Sequence, residues 1–173
     1  MKLVACNHSE HASAILDILN YEIVHSTSLY DYQPRPLSSM EAWFKSKAQG
    51  NFPVIGAIDE SGQLMGFASY GTFRAWPAYK YTVEHSVYVH KTFQGRGVGS
   101  ALMRELITQA QKQQFHVMVG GIDLNNTSSI KLHEKLGFNH AGTIKQAGFK
   151  FGRWLDLAFY QLVMETPRVP NEG

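Results

Sequence analysis

Gln94-Gly95-Arg96-Gly97-Val98-Gly99 lies between a strand-like run, Thr82–Val89, and an amphipathic helical pattern, Val98–Gln113. Three glycines at alternate positions let the backbone approach a ligand closely and take positive φ at little cost. A helix start directly behind them supplies N–H groups without intrahelical acceptors and the positive end of the helix dipole. Together these describe an anion cradle, most naturally for a pyrophosphate. The spacing excludes two other glycine loops. A P-loop needs Lys-Ser or Lys-Thr after its glycines, and neither follows here. A dinucleotide fingerprint needs G-x-G-x-x-G, whereas the third glycine arrives one position early and Ser100 takes the sixth place. On the hexapeptide alone, a turn that merely joins strand to helix stays open.

Outward from this loop, the chain reads as alternating strands and helices. Leu3–Cys6 fits a short strand, and Ser9 or Glu10 opens a helical stripe of Ile15, Leu16, Leu19 and Ile23. Ser26–Leu37 is a polar, aromatic, Pro-bearing loop. Ser38-x-x-Glu41 has the form of a capping box leading into Met40–Ala48, with Gly50 as the stop. Pro53–Asp59 and Gln63–Tyr70 read as strands about a Ser61-Gly62 turn. Gly71–Lys80 is irregular, with Pro77 as a breaker. Tyr81–Val89 alternates, with Val83, His85, Val87 and Val89 on one face and Glu84, Ser86 and Tyr88 on the other. Phe115–Ile122 follows as a strand, then a helix capped from Asn125–Ser129 and stopped at Gly137, then a long strand Trp154–Met164. Pro167–Gly173 reads as a frayed polar tail. The predicted order, β-α-α-β-β-β-α-β-α-β, is an α/β (α+β) layering on a mixed sheet flanked by helices.

The chain has 173 residues, which most simply make one domain, 1–173. Formal net charge is only +2, which gives little drive toward nucleic acid or a membrane surface. The eight histidines are scattered, and no H-x-x-x-H or H-E-x-x-H spacing occurs, so no metal is expected. A single cysteine, Cys6, excludes an internal disulfide framework and fits a reducing compartment. No run has the length of a membrane span or of a signal-peptide apolar core. The expectation is a cytoplasmic protein.

Gln94-x-x-Gly97-x-Gly99 between strand and helix resembles the acetyl-CoA loop of the GNAT N-acetyltransferases. A second stretch, Asn126-Thr127-Ser128-Ser129-Ile130-Lys131-Leu132-His133-Glu134-Lys135-Leu136-Gly137-Phe138, resembles the N-x-x-A/S-x-x-L-Y-x-x-x-G-F pattern of the same fold. Two motifs in the right order are far more specific than either alone. Thr82–Val89, Leu132–Phe138 and Lys150–Asp156 are similar to a narrower group, the phosphinothricin / methionine-sulfoximine acetyltransferases, which acetylate the α-amino group of small amino acids and their analogues. The resemblance implies the GNAT acyl-CoA N-acyltransferase fold, acetyl-CoA as co-substrate, a small-molecule amine acceptor and a homodimer. It also implies that the backbone of Val87, Tyr88 and Val89 lies along pantetheine. Gln94, Gly95, Arg96, Gly97, Val98, Gly99 and Ser100 would then hold the pyrophosphate, with Asn126 on pantetheine or the acceptor and Lys135, like Arg96, facing CoA phosphates. Phe73, Arg74, Ala75, Glu84 and His85 form the implied acceptor-binding group.

Acyl transfer from a thioester to an amine needs the acceptor ammonium to lose a proton. Glu84 is the candidate base: an acidic residue at mid-strand, just before the glycine loop, where its propensity is poor. A solvated or ion-paired strand carboxylate is the plain alternative. His133 stands where the broader family pattern has Tyr, and it is the candidate proton donor to the departing thiolate, against a packed helix histidine. Backbone N–H groups would stabilise the tetrahedral oxyanion. Arg74 can bind an acceptor carboxylate through a bidentate guanidinium, or it can lie over its aromatic neighbours. Tyr30, Tyr32, Phe73, Trp76 and Tyr79 give aromatic loops that suit an acceptor pocket, core or dimer contact equally. Nothing around Cys6 predicts a low-pKa thiol, so direct transfer in a ternary complex is preferred over an acyl-cysteine route. A different amine (peptide N-terminus, polyamine or aminoglycoside) and a non-enzymatic acetyl-CoA-binding module are the rival readings.

Overall fold

A computed structural model describes residues 1–173. Its strands are β1 (Lys2–Ala5), β2 (Val54–Ile58), β3 (Leu64–Thr72), β4 (Thr82–Val89), β5 (Val117–Asp123), β6 (Asn139–Lys150) and β7 (Arg153–Val163). Its helices are α1 (His8–His25), α2 (Ser39–Gln49), α3 (Val98–Lys112) and α4 (Thr127–Lys135). The strands form one mixed seven-stranded sheet in the order β1-β2-β3-β4-β5-β7-β6. The mixed α/β layering expected from the sequence is the one observed.

The chain divides into two compact units, Met1–Ser69 with Ser86–Met103, and Tyr70–His85 with Arg104–Gly173. In the first unit β1, β2 and β3 pair antiparallel. Helix α1 begins at Asn7, whose Oδ1 accepts from the Glu10 amide while its Nδ2 donates to the Glu10 carboxylate. The first bond satisfies a backbone donor that the helix itself leaves open, and the second holds the two side chains together. The apolar stripe of α1 (Ile15, Leu16, Ile18 and Leu19) then packs with Met40, Val54, Leu64 and Phe67. Each such side chain removed from water contributes about 1.5–3 kcal/mol. The capping box expected at Ser38 is not formed. Ser38 has φ −58° and ψ −22° and makes no side-chain cap, while the Ser39 hydroxyl donates to the Pro36 carbonyl instead. Ser38 already sits in helical geometry, which turns its hydroxyl away from the amides it would have to cap.

In the second unit β4 runs parallel to β5 over Thr82–Glu84, and β5 and β6 both run antiparallel to β7. Strand β6, absent from the sequence reading, is twelve residues long. It is the outermost strand, mostly exposed, with register shifts between His140 and Gly142 and between Ile144 and Gly148. Gln146 has φ 55°, and its amide donates to Asp156 Oδ1 on β7. An edge strand interrupted in this way carries no two-residue hydrophobic period to read. The Asn171 amide donates to the Tyr81 hydroxyl, and Lys80 Nζ donates to Asn171 Oδ1.

Candidate functional site

In the first unit, Gly95 and Gly97 both adopt positive φ, 75° and 78°, and a Cβ at either would meet no atom within 4 Å. Glycine is therefore demanded by backbone conformation, while the space above the loop stays open for a ligand. Helix α3 starts at Val98, and the Ala101 amide donates to the Gly97 carbonyl. The amides of Val98, Gly99 and Ser100 precede that first helical bond, so they have no intrahelical acceptor. Arg96, also exposed, holds its guanidinium 5.4 Å from the Phe93 ring. Gln94 Nε2 donates to the Val89 carbonyl, joining the loop to the end of β4. This donor set fits the diphosphate of a coenzyme.

β3 and β4 approach each other closely in the same unit. A Cβ at Gly66 would lie 2.7 Å from the Tyr88 carbonyl oxygen and 3.1 Å from Val89 Cα. Gly66 thus sets the backbone position of Tyr88 and Val89. The Tyr88 ring packs against Phe67 at 5.5 Å between centroids, and burial pushes its hydroxyl up to about 12.

The second unit carries the ionisable groups. Glu84 is half-buried; burial raises its carboxyl above the ordinary range, and the nearby Arg74 guanidinium opposes that rise. Arg74 is exposed and lies 5.5 Å from the Phe73 ring. Ala75 is exposed beside it. The Gly121 position on β5 leaves room for Glu84, since a Cβ there would stand 3.5 Å from Glu84 Oε1.

His85, the next residue on β4, faces the other way and meets His133 of α4. Their Nε2 atoms are 3.0 Å apart, with the rings inclined by only 21°. His133 Nδ1 stands 2.6 Å from the Ser129 carbonyl. A carbonyl oxygen only accepts, so His133 Nδ1 carries the hydrogen. In the neutral ring His133 Nε2 is then the acceptor, and His85 Nε2–H donates to it. Burial pushes His85 down to about 3, helped by the neighbouring His133, and burial lowers His133 as well. Both rings are therefore neutral at rest. Phe138 packs edge-on against both, at 5.6 and 5.1 Å. Gly120 makes the space: a Cβ there would lie 2.6 Å from His85 Nε2.

His133, the expected proton donor, lies in the interior. It is 1% exposed, and both of its ring nitrogens are engaged within the protein. Asn126 also has a structural duty, since its Oδ1 accepts from the Ser129 amide and the Ser128 hydroxyl as the cap of α4. Lys135 is exposed in the last turn of α4. The sequence reading missed the pairing of His85 with His133. A signal for it existed: two adjacent glycines in a strand interior mark a close approach on each face. No group of three or more His, Cys, Asp or Glu side chains could hold a metal ion, and no helix is long and apolar enough to cross a membrane.

The Acetyltransferase (GNAT) family model matches residues 18–138. The chain belongs to the GNAT acetyltransferase family. It is 42% identical over 154 residues to an L-methionine sulfoximine/L-methionine sulfone acetyltransferase of Pseudomonas paraeruginosa, covering 89% of this chain and 90% of that one. A GNAT phosphinothricin acetyltransferase from Sinorhizobium meliloti, solved in complex with acetyl-CoA, superposes with a TM-score of 0.93 at 33% identity, over 99% of this chain and 94% of that one. A ribosomal-protein-alanine N-acetyltransferase from Brucella melitensis superposes with a TM-score of 0.92 at 36% identity, over 95% of this chain and all of the other. The resemblance read from two GNAT motifs thus extends over most of the chain.

Proposed function

We propose that this GNAT chain transfers the acetyl group of acetyl-CoA to the α-amino group of small L-amino acids or analogues such as methionine sulfone, methionine sulfoximine and phosphinothricin. The observation that carries the choice of acceptor is an Arg74 guanidinium close enough to Glu84 to oppose the rise of its carboxyl. A free amino acid is a zwitterion, and an anion beside a cation complements it: the carboxylate attracts the ammonium, and the guanidinium takes the α-carboxylate in a bidentate contact. A polycation would meet Arg74 as a repulsive charge.

In this reading Gln94–Ser100 hold the pyrophosphate, and the backbone of Val87–Val89 lies along pantetheine. Arg96 and Lys135 meet further phosphate charge, Asn126 reaches the ligand through Nδ2, and Phe73 and Ala75 bound the acceptor. Glu84, its carboxyl raised above the ordinary range by burial, takes a proton from the ammonium. Transfer is direct, within a ternary complex. Cys6, the one thiol, is pushed up to about 12 by burial and is a poor nucleophile. We further propose a cytoplasmic homodimer. Exposed Ile144, Phe149, Phe151 and Trp154 on β6, β7 and their turn support the dimer.

Thiol release from acetyl-CoA, measured across a panel of amino acids and analogues, tests the reading. Turnover is expected with methionine sulfone or sulfoximine and not with spermidine or kanamycin. The Brucella neighbour supports a second reading, acetylation of a peptide N-terminus, so an alanine-initiated peptide belongs in the panel. Turnover of that peptide with no turnover of any free amino acid would replace the first reading by the second.

A further inference from the structure

Arg74 stands on an arm of the chain, residues 73–81, that joins β3 to β4 and is exposed at every position from Arg74 to Lys80. A segment with so little buried surface depends for its order on the contacts that tie it down. Some lie within the arm. The Arg74 guanidinium is 5.5 Å from the Phe73 ring, and that ring meets Tyr79 edge-on at 5.7 Å, which closes the arm on itself. A short turn, Pro77–Tyr79, carries Tyr79 to that place: the Tyr79 amide donates to the Trp76 carbonyl and the Lys80 amide to the Pro77 carbonyl.

The other contacts come from the segment that follows β7. The Tyr81 hydroxyl donates to the Asn171 carbonyl at 3.2 Å and accepts from the Asn171 amide at 3.1 Å, so a single hydroxyl holds both backbone groups of one residue. Lys80 Nζ, 5.2 Å from the Tyr81 ring, donates to Asn171 Oδ1. The segment bearing Asn171 is itself fixed where it leaves the sheet. The Met164 amide donates to the His116 carbonyl, the Thr166 hydroxyl to the Phe115 carbonyl, and His116 Nδ1 to the Thr166 carbonyl. The His116 and Val117 amides both donate to the Tyr81 carbonyl. Tyr81 is thus gripped on its backbone by the start of β5 and on its hydroxyl by Asn171. Hydrogen bonds make this seam. Beside them the surface opens into a cleft of about 690 Å³ lined by Pro77, Ala78, Tyr81, Pro170 and Glu172, where a packed contact would leave no space. A join of that kind can open without disturbing the core.

We propose that the segment after β7 latches the arm through Asn171 and Tyr81, and that the latch holds Arg74 in place for the carboxylate of the acceptor. This rests on the acetyl-transfer reading above, which gives Arg74 that carboxylate. Tyr81 is then a positioning residue. A guanidinium held in one geometry meets a carboxylate with two parallel bonds. On a loose arm its apparent affinity falls by the fraction of time spent elsewhere. The latch therefore sets KM for acceptors that carry a carboxylate and leaves the transfer step alone.

Tyr81→Phe tests this, since it removes the hydroxyl and keeps the ring. Trypsin cleavage of the full chain reads the arm without any turnover. Cleavage after Arg74 should quicken about fivefold in the variant, while cleavage after Lys45 on α2 stays unchanged. An unchanged rate after Arg74 would overturn the latch, and so would equal acceleration at both places, which reports a weaker fold. In the kinetic assay, KM for methionine sulfone should rise about fivefold with kcat within about twofold, and KM for the decarboxylated amine should not move. In an Arg74→Ala background, Tyr81→Phe should add nothing. A rise shared by both amines, a rise that persists without Arg74, or no rise despite faster cleavage would each overturn the positioning role. Absence of thiol release by the parent chain with every amino acid would sink the acetyl-transfer reading and the use assigned to Arg74; the cleavage rates would still decide the latch by themselves.

Discussion

Gly120→Ala tests the account of the buried histidines through stability rather than turnover. Gly120 has no positive φ, so the substitution carries no backbone penalty; its cost comes from the space its methyl group takes. The new Cβ would lie 2.6 Å from His85 Nε2, and 3.3 Å from both His85 Cε1 and His133 Nε2. Ordinary contact begins near 3.5 Å, so the His85 ring has to retreat by roughly 1 Å. Its 3.0 Å bond to His133 then stretches past the hydrogen-bond range. Overpacking costs about 1–3 kcal/mol and the lost bond about 1 kcal/mol, giving about 2–4 kcal/mol in all. For a chain of this length that lowers Tm by about 5–15 °C. The assay is thermal and urea unfolding, with Gly142→Ala as control. A Cβ at Gly142 meets nothing within 4 Å, so that variant should stay within about 0.5 kcal/mol of the parent. A Gly120→Ala protein melting within about 2 °C of the parent would refute the packing argument.

Three further outcomes follow from the same geometry. Glu84→Gln should lower kcat by about a hundredfold, and it should abolish an acid limb of the rate profile that lies above the ordinary carboxylate range; a limb unchanged in the variant would reject Glu84 as the base. Arg74→Ala should raise KM at least about tenfold for acceptors bearing an α-carboxylate, while leaving decarboxylated amines unaffected; equal effects on both would remove its assigned contact. The folded chain holds His85 neutral down to about 3, whereas an unfolded histidine takes a proton near 6.5. A depressed histidine disfavours folding as pH falls below 6.5, by up to about 1.4 kcal/mol per pH unit. Urea midpoints should therefore drop from pH 7 to pH 5 more steeply in the parent than in His85→Gln, and parallel slopes would contradict the assignment.

How much of this was legible in the sequence depends on where the information sits. The glycine loop could be read because Gly95 and Gly97 are demanded by their own φ angles, a local property that spacing preserves. The same holds for Gly137, φ 89°, at the end of α4. Glu84 stood out because a mid-strand carboxylate violates propensity. The histidine pair could not be read, because residues 48 apart meet only after β4, β5 and α4 have packed. The two glycines of β5 pointed to a close approach without naming what approaches. Strand β6 lacked a period because its pairing is broken twice. At Ser38 the reading failed because a capping motif fixes composition and not backbone conformation.

The broken ladder of β6 bears on how copies of this protein can associate. An outermost strand of regular pleat presents a row of open amides and carbonyls to any passing chain, and invites open-ended stacking. Here the bulge at Gln146, tied down by Asp156, and the slip between His140 and Gly142 leave no long straight rim to copy. Self-assembly through backbone pairing along that rim is therefore poorly templated. Beside that rim stand apolar side chains such as Phe149 and Trp154, whose rings pack against each other at 5.0 Å. The irregularity that concealed the strand in the sequence thus also denies another copy a regular edge to pair with.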